Sequence, residues 1–229
     1  MMTSRSRSSD PSDEAYERLR SGIMRGDVSP GQRLVEADLV EALGVSRAVV
    51  RTTLTRLAHA GLVEKELNRG ARVRTVSEEE AVEITQVRSV LEALASRQAA
   101  ERATDADVEA LRSILAEMKG MLAEQDLLGY SEGNSRLHAK VIEISGHQTV
   151  QRLVANLRAQ MVRFQYRTIL VPGRGKESFA EHTKLVEAIA AHDGDAAEAA
   201  MRTHLLHVTD NLDRTKSNRP GGAGLFGRI

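Results

Sequence analysis

The chain has 229 residues, 41% hydrophobic and 28% charged, which suits one large domain or two modest ones of ordinary globular composition. The absence of Cys excludes disulfides and thiolate metal sites and points to a reducing cytoplasm. With no Trp and 3% aromatics, the core must be aliphatic, as helix-on-helix packing requires. No apolar run is long enough to span a membrane, and the opening "MMTSRSRSSDPSD" lacks the hydrophobic segment of a secretory signal. The net charge of zero divides unevenly: residues 1–76 hold 13 Lys and Arg against 10 Asp and Glu, and the remainder 19 against 22. That slight excess permits a nucleic-acid surface on the first part without demonstrating one.

In chain order, residues 1–13 read as a disordered arm. Ala15, Leu19 and Ile23 then fall at helical spacing, and Gly26 and Pro30-Gly31 end that helix. "RLVEADLVEALG" reads as a short helix with Leu39 and Leu43 inward and Gly44 at its end. Ser46 is a good N-cap for a third helix, in which Val50, Leu54 and Leu57 form the apolar stripe and which Gly61 stops. "LVEKELNRGARVRTV" alternates on either side of Asn68-Arg69-Gly70, as a β-hairpin does. Residues 14–76 therefore read as three helices and a hairpin.

From Ser77 every segment is helical. Ser77 and Glu80 form a capping-box pattern ahead of Ile84, Val87, Leu91 and Leu94. Thr104 caps a second helix with Leu111, Leu115, Met118 and Leu122 as its stripe. A third covers about 129–145, and a fourth runs from about 147 to Leu170, closed by Pro172-Gly173. A fifth spans about 175–192, and a sixth runs from about Asp195 through Leu212. The short connections predict an antiparallel six-helix bundle over 77–216, with a Gly/Pro-rich disordered tail at 217–229. The fold class is mainly α: an N-terminal winged helix-turn-helix and a C-terminal all-α bundle.

Two short helices joined by a Gly-containing turn, the second capped and basic, match the helix-turn-helix plan. Arg47 and Arg51 share a face that Thr55 continues, with Thr52 and Thr53 beside it and the capping Ser46 at its start. Arginine can grip guanine or phosphate, and threonine can meet phosphate or a thymine methyl. Arg69 and Gly70 at the hairpin tip suit a phosphate or minor-groove contact, with Arg72 and Arg74 behind them. The competing reading is a solvated basic face.

In the bundle, His138, His182 and His204 lie on three different helices, each spaced so as to face the interior, and Asn134 precedes His138 by one turn. Such a cluster either holds a divalent metal or consists of separate hydrogen-bonded core histidines. Arg88, between Ile84 and Leu91, directs a cation inward. It needs an anionic partner, which is either a protein carboxylate or a carboxylate ligand. Arg163 and Arg167 are weaker candidates of the same kind. His59, His147, His192 and His207 read as surface or structural residues.

"LRSGIMRGDVSPGQRL", "GVSRAVVRTTLTRLAHAGLV" and "NRGARVRTVS" resemble the winged helix of GntR-type bacterial transcription regulators, and the helical remainder resembles the FCD domain of their FadR branch. The resemblance covers about 14–215. It implies a homodimer on a palindromic double-stranded DNA operator, commonly a repressor released by a small organic acid, with the bundle placing two winged helices. It also implies a bound divalent ion, zinc with nickel or manganese as alternatives, on Asn134, His138, His182 and His204. Arg88 would then stand beside it as an effector contact.

Two departures from the family pattern stand out. Val49 replaces the usual Pro and Thr52-Thr53 the usual Glu-Ala on the recognition helix, while Asn134 stands where a carboxylate is usual. Three imidazoles and an amide leave the ion its full charge, which weakens metal retention and strengthens the pull on an anionic ligand. No H-E-x-x-H, G-x-S-x-G, P-loop or G-x-G-x-x-G occurs, so no catalytic residue is assigned and an enzyme is disfavoured. A regulator that senses the metal alone is the remaining alternative.

Overall fold

The computed structural model describes residues 10–66, 70–161, 164 and 168–217, the side chains of 215–217 excepted. Arg69, Arg163, Arg167, most of the N-terminal arm and nearly all of the tail lie outside the described residues. The chain divides into two compact units, residues 1–76 with 158–162, and 77–157 with 163–229.

The first unit begins earlier than the sequence pattern suggests. Helix α1 spans Pro11–Arg25, because Asp10 caps it by accepting from the Ser12 N–H at 2.9 Å and Pro11 suits the first turn. Helices α2 (Glu36–Leu43) and α3 (Arg47–His59) follow. Strand β1 (Arg33–Leu34) replaces what reads as the first turn of α2, and it pairs with β3 (Gly70–Val73), which also pairs with β2 (Val63–Glu66). The sheet order is β1-β3-β2, antiparallel throughout. Two residues are too few for alternation to show, so β1 is invisible without its partner strand.

Gly70 sits at φ +91, and an added Cβ would run into the Leu34 carbonyl oxygen. Glycine at this position therefore serves the β1–β3 approach first. Val50, Leu54 and Leu57 are buried as their spacing predicts, together with Leu19, Ile23, Leu34, Leu39, Val63, Ala71 and Val73.

The second unit is an all-helical bundle: α4 (Glu78–Arg102), α5 (Asp105–Ala123), α6 (Leu127–Ser145), α7 (Gln148–Gln160, whose residues from 158 on are counted with the first unit), α8 (Arg174–Ala190) and α9 (Gly194–Ser217). Ser77 Oγ accepts from the Glu80 N–H at 3.1 Å, and Thr104 with Asp107 forms a complete capping box on α5. Helix α7 ends ten residues short of Leu170. Its last turn is tightened by the Met161 N–H bonding the Arg158 carbonyl at 2.9 Å.

Helix α4 is the centre, packed along α9 and against α6 and α8. Its buried face follows the stripe of large apolar residues only in part: Ile84 is buried and Leu91 partly so. Val87 and Leu94 are exposed, as is Val90, whereas Ala81, Ala93, Ala95, Ser96, Ala99 and Ala100 are buried. Small side chains let neighbouring helices approach closely, and that contact outweighs the larger residues' preference for burial. Thr85, Arg88 and Glu92 are carried inward on the same face.

Thr53 is fully buried rather than on the exposed face, and its Oγ1 has no hydrogen-bond partner among the described residues. An orphaned buried hydroxyl costs about 1–3 kcal/mol. Thr53→Val, which keeps the shape and removes the hydroxyl, should stabilise the first unit by about 1 kcal/mol, read as a higher urea midpoint of the full chain.

Candidate functional site

The recognition helix α3 starts where Ser46 Oγ accepts from the Val49 N–H at 3.3 Å, so Ser46 has a structural task before any contact with a partner. Arg47 and Arg51 are exposed on one face with Thr52, and Thr55 is half-buried with its hydroxyl bonded to the Arg51 carbonyl at 2.8 Å. Both arginines lean on Glu36 of α2, with Arg51 Nε 3.0 Å and Arg47 Nε 3.9 Å from Glu36 Oε2.

Arg56, on the other side of α3, is used internally. Its Nη1 lies 2.8 Å from Asp13 Oδ1, and its guanidinium sits 4.3 Å from the centre of the Tyr16 ring. Arg72 is likewise engaged, by Glu66 at 2.8 Å and by the Gly31 carbonyl at 2.7 Å.

In the bundle, the predicted histidines converge. His138 of α6, His182 of α8 and His204 of α9 are all buried, with one ligand atom from each lying within 4.8 Å of the others. Carboxylates stand behind two of them, Glu92 buried and Glu181 half-buried. His138 Nδ1 lies 2.5 Å from Glu92 Oε2, and His204 Nδ1 lies 2.7 Å from Glu181 Oε2. A carboxylate only accepts, so each Nδ1 carries the proton and each Nε2 is unprotonated in the neutral ring. His182 Nδ1 lies 3.5 Å from Ser178 Oγ, and its Nε2 faces His138 Nε2 at 3.2 Å. Without an ion, the 3.2 Å contact needs His182 to donate Nε2–H to His138; its other tautomer gives Nδ1–H to Ser178 and sets two unprotonated Nε2 atoms face to face, which only a cation between them would satisfy.

Burial holds the His204 pKa below its ordinary value, only partly offset by Glu181, so the ring is neutral as a ligand must be. Asn134 Oδ1 is buried without a hydrogen-bond partner among the described residues. The three convergent imidazoles fit a divalent ion of the nitrogen-preferring kind, and Asn134 lines one cavity with His204.

A cavity of about 40 Å³ adjoins His204, lined by Tyr130, Ser131, Asn134, Arg174 and Ser178 among others. Burial pushes the Tyr130 phenol up to about 12, with Ser178 and Arg174 opposing, so it is an O–H donor at neutral pH. Arg174 is buried and forks onto Glu181, with Nη1–Oε1 and Nη2–Oε2 both at 2.7 Å. Burial alone would raise the Glu181 pKa; hydrogen bonds from His204 and Arg174 overcome it and leave the carboxylate at about 2.

Arg88 is buried as predicted, and its Nε lies 2.7 Å from Glu92 Oε1. Its anionic partner is thus a protein carboxylate, the same one that orients His138.

Two family models divide the chain between them. "Bacterial regulatory proteins, gntR family" matches residues 11–73, and "FCD domain" matches 83–207, more than half of the whole. The chain belongs to the GntR family, in the branch that carries an FCD domain. It is a DNA-binding transcription regulator, of a family of regulators rather than enzymes. It is 25% identical over 199 residues to the HTH-type transcriptional repressor RspR of Escherichia coli, covering 87% of each chain. It is 28% identical over 215 residues to the galactonate operon transcriptional repressor of Escherichia coli, covering 85% of this chain and 93% of that one. The fold is that of E. coli McbR/YncC, with a TM-score of 0.77 at 19% identity over 91% of this chain and 100% of the other. Among the described residues, no helix of this GntR regulator is long and apolar enough to cross a membrane.

Several site residues escape a reading of the sequence. Glu92 is four residues after Arg88, a spacing that marks a same-face pair and could have named the partner. Glu181 gives no such signal. It acts from α8 on His204 and on His207, whose Nδ1 lies 2.7 Å away, and both histidines belong to α9. His207, read as a surface residue, therefore shares the carboxylate behind His204. His192 is structural, with Nδ1 2.9 Å from the Ala100 carbonyl.

Because the Glu181 pKa is depressed in the folded chain, its stabilisation is present above the ordinary value of 4.5 and is lost as pH falls through about 2. Glu181→Gln should destabilise the bundle by about 3 kcal/mol at neutral pH in the presence of a chelator, since it strands buried Arg174. Denaturant titrations should show the gap from wild type closing as pH is lowered from 4.5 towards 2.

Proposed function

We propose that this GntR regulator is a repressor that binds a palindromic operator as a homodimer and is controlled through its FCD domain by a small carboxylate held beside a metal ion. The observation that carries the proposal is the convergence of three buried imidazoles from three helices, with Glu92 and Glu181 behind two of them. His138, His182 and His204 would hold the ion, with Asn134 as a neutral fourth ligand. Zinc suits this donor set best, with nickel or manganese as alternatives. The ion supplies positive charge beside the cavity, which no carboxylate ligand in this set cancels.

The effector contact moves from Arg88 to the cavity. Arg88 is satisfied by Glu92, whereas the Tyr130 hydroxyl and Asn134 Oδ1 both lack hydrogen-bond partners among the described residues. A small acid there could accept from Tyr130 and draw on Arg174. In the first unit, Arg47, Arg51, Thr52 and Thr55 would face base edges and Ser46 the backbone, with Arg69 and Gly70 of the wing beside the phosphates or in the minor groove. Control requires the acid to bind one DNA-binding state more tightly than the other.

The pairing of Arg88 with Glu92 also favours a second reading, in which the metal alone is sensed, because it removes one need for an organic anion. Operator binding of metal-replete protein, titrated with small organic acids and repeated after chelation, separates the two. Release by an acid only while metal is bound supports the first reading; release by chelation alone supports the second. Absence of DNA binding under every condition sinks both.

The donor set makes its own prediction. Asn134→Asp should tighten metal binding by about tenfold or more by adding a charged ligand, and His138→Ala should abolish stoichiometric metal. Competition titration against a chromophoric chelator measures both. Unchanged affinity in Asn134→Asp would remove residue 134 from the ligand set.

A further inference from the structure

Glu36 is the first residue of α2, whose N-cap Val35 offers no side-chain hydrogen bond. Its carboxylate is favoured there by the helix dipole, but Asp38 stands in the same turn and supplies that charge as well. What Glu36 does alone is reach α3. Both of its oxygens meet Arg51 Nε, at 3.1 and 3.0 Å, and Oε2 lies 3.9 Å from Arg47 Nε. The Glu36 side chain is 25% exposed, while those of Arg51 and Arg47 are 66% and 65% exposed.

A guanidinium is a rigid plane with an Nε edge and an Nη1/Nη2 fork. Glu36 occupies the Nε edge of Arg51. Among the described residues the fork takes no hydrogen bond. We infer that Glu36 is a positioning residue that sets sequence discrimination by orienting the Arg51 fork towards a base edge. The inference rests on the reading of α3 as the DNA-facing helix.

An unanchored arginine on an open face samples many rotamers, can grip phosphate as readily as a base, and surrenders its freedom only on binding. An anchored one presents a fork of fixed plane, matched to guanine O6 and N7. The carboxylate also repels the phosphates nearby, so it weakens binding to all DNA while sharpening the choice among sequences.

The test uses full-length protein and a pool of duplexes with a randomised centre, sequenced after selection, followed by affinity measurements on the selected and scrambled duplexes. Wild type, Arg51→Ala, Glu36→Ala and Glu36→Gln are compared. Arg51→Ala identifies the base position that this arginine reads. Glu36→Ala should lose about tenfold or more of discrimination at that same position, within the range of one bidentate base contact, while binding scrambled DNA as tightly as wild type or tighter. Glu36→Gln keeps an acceptor for Nε and should retain part of the discrimination.

Wild-type discrimination in Glu36→Ala overturns the proposal. So does identical behaviour of the Ala and Gln variants, which would reduce Glu36 to a counter-charge. If Arg51→Ala leaves the selected sequence unchanged, the assignment of α3 fails; if it erases the preference while Glu36→Ala does not, only the positioning role fails.

Discussion

Glu92 has no exposed surface and stands between Arg88 at 2.7 Å and His138 at 2.5 Å. An isolated carboxylate at that depth would be too costly to keep ionised, and an isolated guanidinium equally so. Each is tolerable only because of the other, and the imidazole takes the remaining oxygen. Much of the bundle's polar interior follows from this arrangement. The alanines of α4 let neighbouring helices come close, Arg88 and Glu92 ride inward on that face, and Glu92 then fixes the tautomer and aim of His138. Glu181 repeats the device on the next histidine, with Arg174 in the place of Arg88. Two such Arg–Glu–His chains, the one through Glu92 buried and the one through Glu181 half-buried, give little net stability but hold two imidazoles in a set orientation.

The winged-helix unit uses charge in a different dielectric. Arg56 is drawn to Asp13 and Tyr16 and helps join α3 to α1, while Arg47 and Arg51 stay in water with a shared carboxylate between them. Pairs this exposed contribute little to stability. The value of the Glu36 contact therefore lies in direction, as with Glu92, where the pair's net energy is also small.

Much of this arrangement is legible in the sequence, and the parts that are not have physical reasons. Val50, Leu54 and Leu57 obey helical periodicity because α3 has one core to face, and His138, His182 and His204 are inward for the same reason. The rule holds only in part on α4, which packs against several helices: Ile84 is buried, but Val87 and Leu94 fit the same apolar stripe and lie exposed, because closeness of packing, set by Ala93, Ala95 and Ala99, decides much of the buried face. Strand β1 and the tasks of Glu181 and Glu36 are illegible for a common reason. Each depends on a partner tens of residues away or on a neighbouring helix, and spacing along one element carries no trace of it.

Thr53 and Asn134, both departures from the family's usual residue, each end in a buried oxygen without a hydrogen-bond partner among the described residues. The same symptom has opposite meanings in the two places. Thr53 Oγ1 lies on the face of α3 that packs into the aliphatic core of the first unit, where no donor can enter, so the orphan is a plain cost. Asn134 Oδ1 belongs to a residue that lines a cavity with His204 and with Tyr130, whose hydroxyl is orphaned too. Two unsatisfied polar atoms around a shared space, beside three convergent imidazoles, have a remedy that the core position lacks: a cation or a polar ligand can reach both. An orphaned atom therefore becomes an argument for a ligand only when the space in front of it can hold one, and of these two departures only Asn134 meets that condition.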